Sequence, residues 1–284
     1  MSGSLAAELL KLRKRWAIRI LVVLFVLIVA GLQYLLPYAI YKNPPPNFGG
    51  DLPRGTTIAD LIRTLETGNF QRVALQSMSG LGGAIAIILG VLVAGSEYSW
   101  GTIRTVMAQR PGRVAVVAGK LTALALLTLL FTVVLMGAAA LCSVAVAATE
   151  HADFAWADVA TIGKAVLAGW LILSMWALFG VALAVLFRQT ALPIGIGLIY
   201  AIVLEGIIFA LFGSNATLQN IEKAFPGANA GALVATFGSG VRGLRTQGIA
   251  GPSVDPTQAV FVLLGYAIVF AAIAVLAVRQ RDQA

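Results

Sequence analysis

Six apolar blocks, almost free of charge, divide the sequence: residues 17–38, 73–95, 121–147, 166–187, 191–212 and 259–278. A helix rises 1.5 Å per residue, so about twenty residues cross the roughly 30 Å hydrocarbon core of a bilayer. Lipid offers backbone groups no hydrogen bonds, so blocks of this length must satisfy their own, as helices do. The expectation is an all-α membrane protein in which residues 1–284 form a single transmembrane domain with six spanning helices. Only 11% of residues are charged, against about a quarter in a soluble domain. That is too few to cover a surface facing water, which excludes a soluble enzyme.

Charge orients the spans. The N-terminus, the segments between spans two and three and between four and five, and the C-terminus together hold 12 Lys/Arg, and the longer segments on the other side hold 8. The side dense in basic residues is cytoplasmic, so both ends are expected there. The basic residues flank apolar blocks and form no separate domain. Their expected partner is therefore membrane lipid, with no role for nucleic acid despite a pI near 10.

Reactive side chains are few. One cysteine, Cys142, and one histidine, His151, exclude an internal disulfide and a multi-histidine metal centre. No G-x-x-x-x-G-K-[ST] run occurs, so no nucleotide binds through that motif. No catalytic, cofactor-binding or metal-binding residue is expected. Glu205 is the one carboxylate clearly inside a span. An ionised carboxylate facing lipid costs on the order of 3 kcal/mol, so Glu205 should face another helix, face a cavity as a candidate for the translocation path, or be protonated. Its helical neighbours Ala201, Ile202, Ile208 and Phe209 are apolar, which directs the search for a partner to another span or the other protomer. Ser77, Ser79 and Ser174 qualify by residue type.

The segments between spans carry structure of their own. Leu5, Leu9, Leu12 and Trp16 recur at helical spacing with Lys11, Arg13, Lys14 and Arg15 on the other faces, a basic amphipathic helix suited to the headgroup layer. Thr57-Ile58-Ala59-Asp60 reads as a capping box before a short helix ended by Gly68. Gly80, Gly82, Gly83 and Ala84 remove bulk from the second span and permit close helix approach. Arg188, Gln189 and Thr190 make a tight turn between spans four and five. In the long loop 214–258, apolar residues 230–237 are too few to cross and should be re-entrant or lie on the outer surface.

The most informative stretch runs from Ser96 to Lys120. Ser96 is suited to cap a helix there, with Glu97 at its positive end. Ile103, Val106 and Met107 form an apolar knob rimmed by Arg104, Arg110 and Arg113, and Pro111-Gly112 stops the helix. An apolar knob on the water side fits a groove on a partner, or else the helix rests on lipid headgroups.

Glu97, three residues, Gly101-Thr102, one residue, Arg104, then Pro111, Arg113 and Lys120 resemble the pattern of type-2 ABC transporter permeases, many of them exporters. Pro111 stands two residues before Arg113, where many members have three. The basic helix at residues 5–16 resembles the family's N-terminal elbow helix, and the loop with Phe225-Pro226 and Ala232-Leu233 its large outer loop. The resemblance implies that Glu97, Gly101, Thr102, Ile103, Arg104, Val106, Met107 and Arg113 belong to a cytoplasmic coupling helix that contacts an ATPase subunit. It implies two ATPase copies, which bind the ATP and Mg, and a second permease chain, as a homodimer or with a close paralogue. It further implies residence in a bacterial cell membrane and export of a hydrophobic or amphipathic cargo. The competing expectation is an ion- or proton-coupled secondary transporter that uses Glu205. A membrane-embedded enzyme finds no Ser/His or His/Glu constellation in the spans.

Overall fold

The computed structural model describes residues 2–45, 58–99, 101, 113–152, 154–205, 207, 223–237 and 254–280. Among these residues the regular elements are helices and no strand occurs. Five helices are long and apolar enough to cross a membrane: Trp16–Lys42, Leu81–Tyr98, Ala115–Glu150, Val159–Phe187 and Pro256–Arg279. The block expected as the fifth span is a shorter apolar helix in its described part, Ala191–Leu204, with residues 208–212 outside the described set. The helices outrun the apolar blocks because polar ends continue them past the hydrocarbon. Helix α7 (Arg113–Glu150) thus starts eight positions before the block that predicts it.

Helices α6 (Leu81–Ser99) and α8 (Val159–Phe187) form the interior. The most apolar stretch of α6 is 78% buried, whereas those of the first and last spans are 17% buried. The contact is possible because glycines replace side chains where the two backbones meet. A Cβ on Gly90 would strike the Ala177 carbonyl, and one on Gly180 would strike the Ile87 carbonyl. Gly83 leaves room for the Trp176 indole, and Gly82 for Phe25 and Leu173. Close approach of this kind supplies the packing that holds helices together where lipid removes the hydrophobic drive. The second span is also interrupted: α5 (Phe70–Ser79) ends before Gly80, and α6 restarts at Leu81.

The first span is peripheral. Helix α2 (Trp16–Ile28) loosens into a π-helix at Val29–Leu35 before α3 (Leu36–Lys42). The Leu36 N–H reaches back to the Gly31 carbonyl, the i→i+5 pattern of a π-turn. That wider turn comes immediately before Pro37, whose ring and missing N–H would break a regular α-ladder. At its C-terminal end this span is tied to α7: Lys42 Nζ lies 2.6 Å from Glu150, and the Tyr38 hydroxyl donates to the same carboxylate at 2.7 Å.

On that same side, helix α4 (Ile58–Leu65) buries Leu61 and Leu65. Thr57, expected to cap it, lies outside the described residues. Arg188 adopts φ 53° in the turn after α8, and α9 (Ala191–Leu198) follows directly, as the turn residues predict. The apolar stretch expected at 230–237 is part of helix α10 (Pro226–Ala235). It begins four residues early because Pro226, with its fixed φ, suits the first helical position. Seven of its residues, Pro226, Ala228, Asn229, Ala230, Ala232, Leu233 and Val234, are buried. It packs on α11 (Pro256–Gln280) and α5.

Replacing Gly90 with Val should cost about 3 kcal/mol or more, because the collision is with backbone that cannot rotate away. Gly137→Ala meets open space and should leave stability within about 0.5 kcal/mol or raise it slightly. Thermal unfolding of the two variants in detergent micelles checks the contrast.

Candidate functional site

Four charged side chains from three helices, together with Arg15 from a helix break, meet at the end of the bundle where α6 finishes and α7 begins. Helix α1 (Ser2–Lys14) is separated from α2 by Arg15, which is extended at φ −81° and ψ 114°. The bend lets α1 fold back against α7. Its inward line is Glu8 and Leu12, 5% and 6% exposed, whereas Leu9 and Trp16 are 38% and 71% exposed. The sequence stripe Leu5–Leu9–Leu12–Trp16 is therefore corrected: a carboxylate takes the inward place expected for Leu9. A partner cation makes that burial tolerable.

The partner is Lys120. Its ammonium lies 2.6 Å from Glu97 Oε1 and 3.4 Å from Glu8 Oε1. Lys11 bridges the same two carboxylates at 2.9 Å to Glu8 and 3.1 Å to Glu97. Arg15 donates to the Leu92 carbonyl and to Ser96 Oγ, both at 2.7 Å. Glu97 and Lys120 are nearly buried, with side chains 5% and 10% exposed. Burial disfavours the Lys11 ammonium, but hydrogen bonds and charge from Glu8 and Glu97 outweigh it and raise its pKa. A raised lysine pKa stabilises the fold below the ordinary value of 10.5 and loses that contribution only as pH climbs through the folded value. The Lys11 contacts are therefore constant across neutral pH.

Two sequence expectations change here. Ser96 and Glu97 do not open a helix; they lie in the last turns of α6. Ser96 Oγ bonds back to the Leu92 carbonyl. A carboxylate near a helix C-terminus is unfavourable by itself, and Lys120 and Lys11 reverse that penalty. Gly101 turns the chain at φ +68°, a conformation that costs a side-chain-bearing residue roughly 1 kcal/mol. Thr102, Ile103, Arg104, Val106 and Met107 lie outside the described residues, as do Arg110, Pro111 and Gly112. Arg113 is the first residue of α7. The arrangement brings Glu97 together with Lys120, which sequence reading placed only in a motif, and with Glu8, Lys11 and Arg15, which it placed on a separate amphipathic helix. No spacing rule links residues 8, 97 and 120, because the link depends on the bend at Arg15.

Glu205 is 2% exposed and lies at the far side of the bundle, against the start of α10. It accepts hydrogen bonds from the Gly227 N–H and from Tyr200. Tyr200 stands five residues earlier on the same helix, so the expectation of a partner from another span alone is corrected. The cause is the π-helix at Ile199–Leu204, whose wider turn brings positions five apart onto one side. The candidate serines are engaged elsewhere. Ser77 and Ser79 bond their own helix, and Ser174 pairs with Thr128 at 2.8 Å. Glu205 thus acts on α10 as an N-terminal cap does, its carboxyl accepting from a backbone N–H in the first turn of that helix.

The apolar spanning helices, the glycine-mediated contacts and the polar clusters confined to helix ends and breaks define a polytopic α-helical membrane protein. Within that class, the chain belongs to the family described as Protein of unknown function (DUF2705), whose model matches residues 60–284. No curated protein matched the chain.

Lys120→Met should destabilise the fold by about 3–5 kcal/mol, since it leaves Glu97 and Glu8 buried short of a cation. Lys11→Met, at a side chain 42% exposed, should cost less than about 1 kcal/mol. Melting temperatures in detergent rank the pair. At the other end, Gly227→Ala places a Cβ on the Glu205 carboxylate. It should loosen α10, read as faster hydrogen exchange over residues 226–235, while Glu205→Gln keeps an acceptor for the Gly227 N–H and should preserve protection.

Proposed function

We propose that the chain is the transmembrane permease subunit of an ATP-driven ABC transporter, working with a separate ATPase subunit and carrying no nucleotide site of its own. The observation that supports this reading best is the buried ion cluster at the root of segment 101–112. A membrane subunit driven from outside needs its partner-facing segment to be mechanically continuous with its spans. Here the segment leaves through Gly101 at the end of α6 and rejoins the chain at Arg113, on a helix that runs unbroken to Glu150. The Glu97–Lys120 pair clamps the two strands of that exit together, and Glu8 and Lys11 fasten α1 to the same point. Displacement of the segment is then passed to spans two and three and to the elbow helix as one body. A partner biases such a motion only through different affinities for its two states.

In this reading the protein has six spans with both termini in the cytoplasm of a bacterial cell, pairs with a second permease chain, and exports a hydrophobic or amphipathic compound. The knob Ile103, Val106 and Met107 docks in the ATPase. In the competing reading, coupling to protons or ions runs through Glu205, whose carboxylate is engaged by the Gly227 N–H and Tyr200 while its Oε1 has no hydrogen-bond partner among the described residues.

Val106→Asp places a charge in the proposed contact, at a cost of several kcal/mol if it stays unpaired. The variant should insert and melt like wild type, yet lose co-purification with an ATPase encoded by a neighbouring gene and lose ATP-dependent transport. Unchanged assembly and transport would remove the coupling role. Reporter fusions at the N-terminus, near Arg188 and at the C-terminus should read cytoplasmic, and fusions near Asp60, Glu150 and Asn220 external. A C-terminus reading external would overturn the six-span architecture.

A further inference from the structure

The five basic residues around the elbow, Lys11, Arg13, Lys14, Arg15 and Arg19, look alike in the sequence, but the fold divides them into two sets. Lys11 and Arg15 are held by Glu8, Glu97, Leu92 and Ser96, although the Lys11 side chain remains 42% exposed. Arg13, Lys14 and Arg19 are exposed. Among the described residues, the ion pairs of this region engage Lys11 and Lys120 and include none of those three.

The outward set is built around the break between α1 and α2. Arg19 donates one guanidinium nitrogen to the Arg13 carbonyl at 2.8 Å, one of the carbonyls a helix end leaves unbonded. Its guanidinium also lies 5.4 Å from the centre of the Trp16 ring, within range of a cation–π contact. Arg19 is thereby held in place with donors to spare, beside Arg13 and Lys14 at the last turn of α1. Trp16 is 71% exposed, and below it Ile20, Val23, Leu24 and Leu27 are exposed at 59%, 57%, 46% and 63%. That face of the first span is the one lipid chains cover. The three cations therefore stand at the level where those chains end in headgroups, with an exposed tryptophan between cations and apolar face, the usual position of an interfacial aromatic.

We propose that Arg13, Lys14, Trp16 and Arg19 form a binding site for an anionic phospholipid headgroup, its phosphate taken by the three cations and its acyl chain lying along Ile20, Val23 and Leu27. Charge complementarity selects this occupant: three outward cations that take no part in the ion pairs among the described residues complement an anion, and the apolar strip beneath complements a chain attached to it. A soluble anion would use only the upper half. The proposal is independent of the transport reading, because it needs only that this span lies in a bilayer.

The test uses the full chain purified in detergent, with phosphatidylglycerol or phosphatidylcholine titrated in and bound lipid counted by native mass spectrometry. Wild type should retain phosphatidylglycerol in preference, and the preference should fall as salt is raised. Arg13→Gln/Lys14→Gln/Arg19→Gln should weaken phosphatidylglycerol retention about tenfold or more while the melting temperature in neutral detergent stays near that of wild type. Lys11→Gln, which removes a cation held by Glu8 and Glu97, should leave lipid retention within about twofold. Equal retention of the two lipids by wild type, a preference insensitive to salt, or full retention by the triple variant would each overturn the site. Should the triple variant not fold, Arg19→Gln alone carries the test, since it removes the cation fixed against Trp16. Loss of lipid from Lys11→Gln as large as from that variant would overturn the division into two sets.

Discussion

Everything else in this bundle hangs on two backbones being allowed to touch. At Gly90 and Gly180 the helices of spans two and four approach until carbonyl oxygens occupy the space a side chain would need. In a bilayer the apolar side chains gain little by leaving lipid for protein, so dispersion between closely packed atoms must hold the helices together. Close approach maximises it and fixes the axis on which the other helices are arranged. Met78 and Thr132 crowd Gly169 further along α8, so the same device recurs towards the other end of the helix.

The two main polar clusters consequently sit at the ends and breaks of helices. At one end lie Glu8, Lys11, Glu97 and Lys120. At the other, Glu205 meets the first turn of α10, and Asn229 secures the approach to that helix through the Lys223 and Phe225 carbonyls at 2.7 and 2.8 Å. Both groups satisfy backbone or charge that a spanning helix cannot satisfy internally. The first joins elements far apart in sequence, residues 8, 97 and 120, and works as a fastening between them.

Much of the fold was legible because block length and charge density are one-dimensional properties. Five of six apolar blocks correspond to helices of spanning length, and the turn at Arg188 follows from local chemistry. The polar clusters were less legible. Glu97 was read as opening a helix because Ser96 before it is a good cap, yet the apolar run continues without interruption into both residues, and helix continuity prevailed. Glu205 was assigned α-helical neighbours, and a π-turn replaced them with Tyr200. The inward place of Glu8 could not be inferred from a stripe of leucines, since its burial depends on a lysine 112 positions later.

The tie between Lys42 and Glu150 has a consequence for how the protein is made. The first span leaves the ribosome roughly a hundred residues ahead of the carboxylate that Lys42 and Tyr38 require. At about 5–20 residues per second, that is a delay on the order of ten seconds. Through that interval Lys42 is held by water and headgroups. With only Ile18, Phe25, Val29 and Tyr34 buried along its length, the span is suited to that wait. It inserts as an independent unit, packs Phe25 beside Gly82 once the second span follows, and is tied at Lys42 and Tyr38 only when the third span arrives.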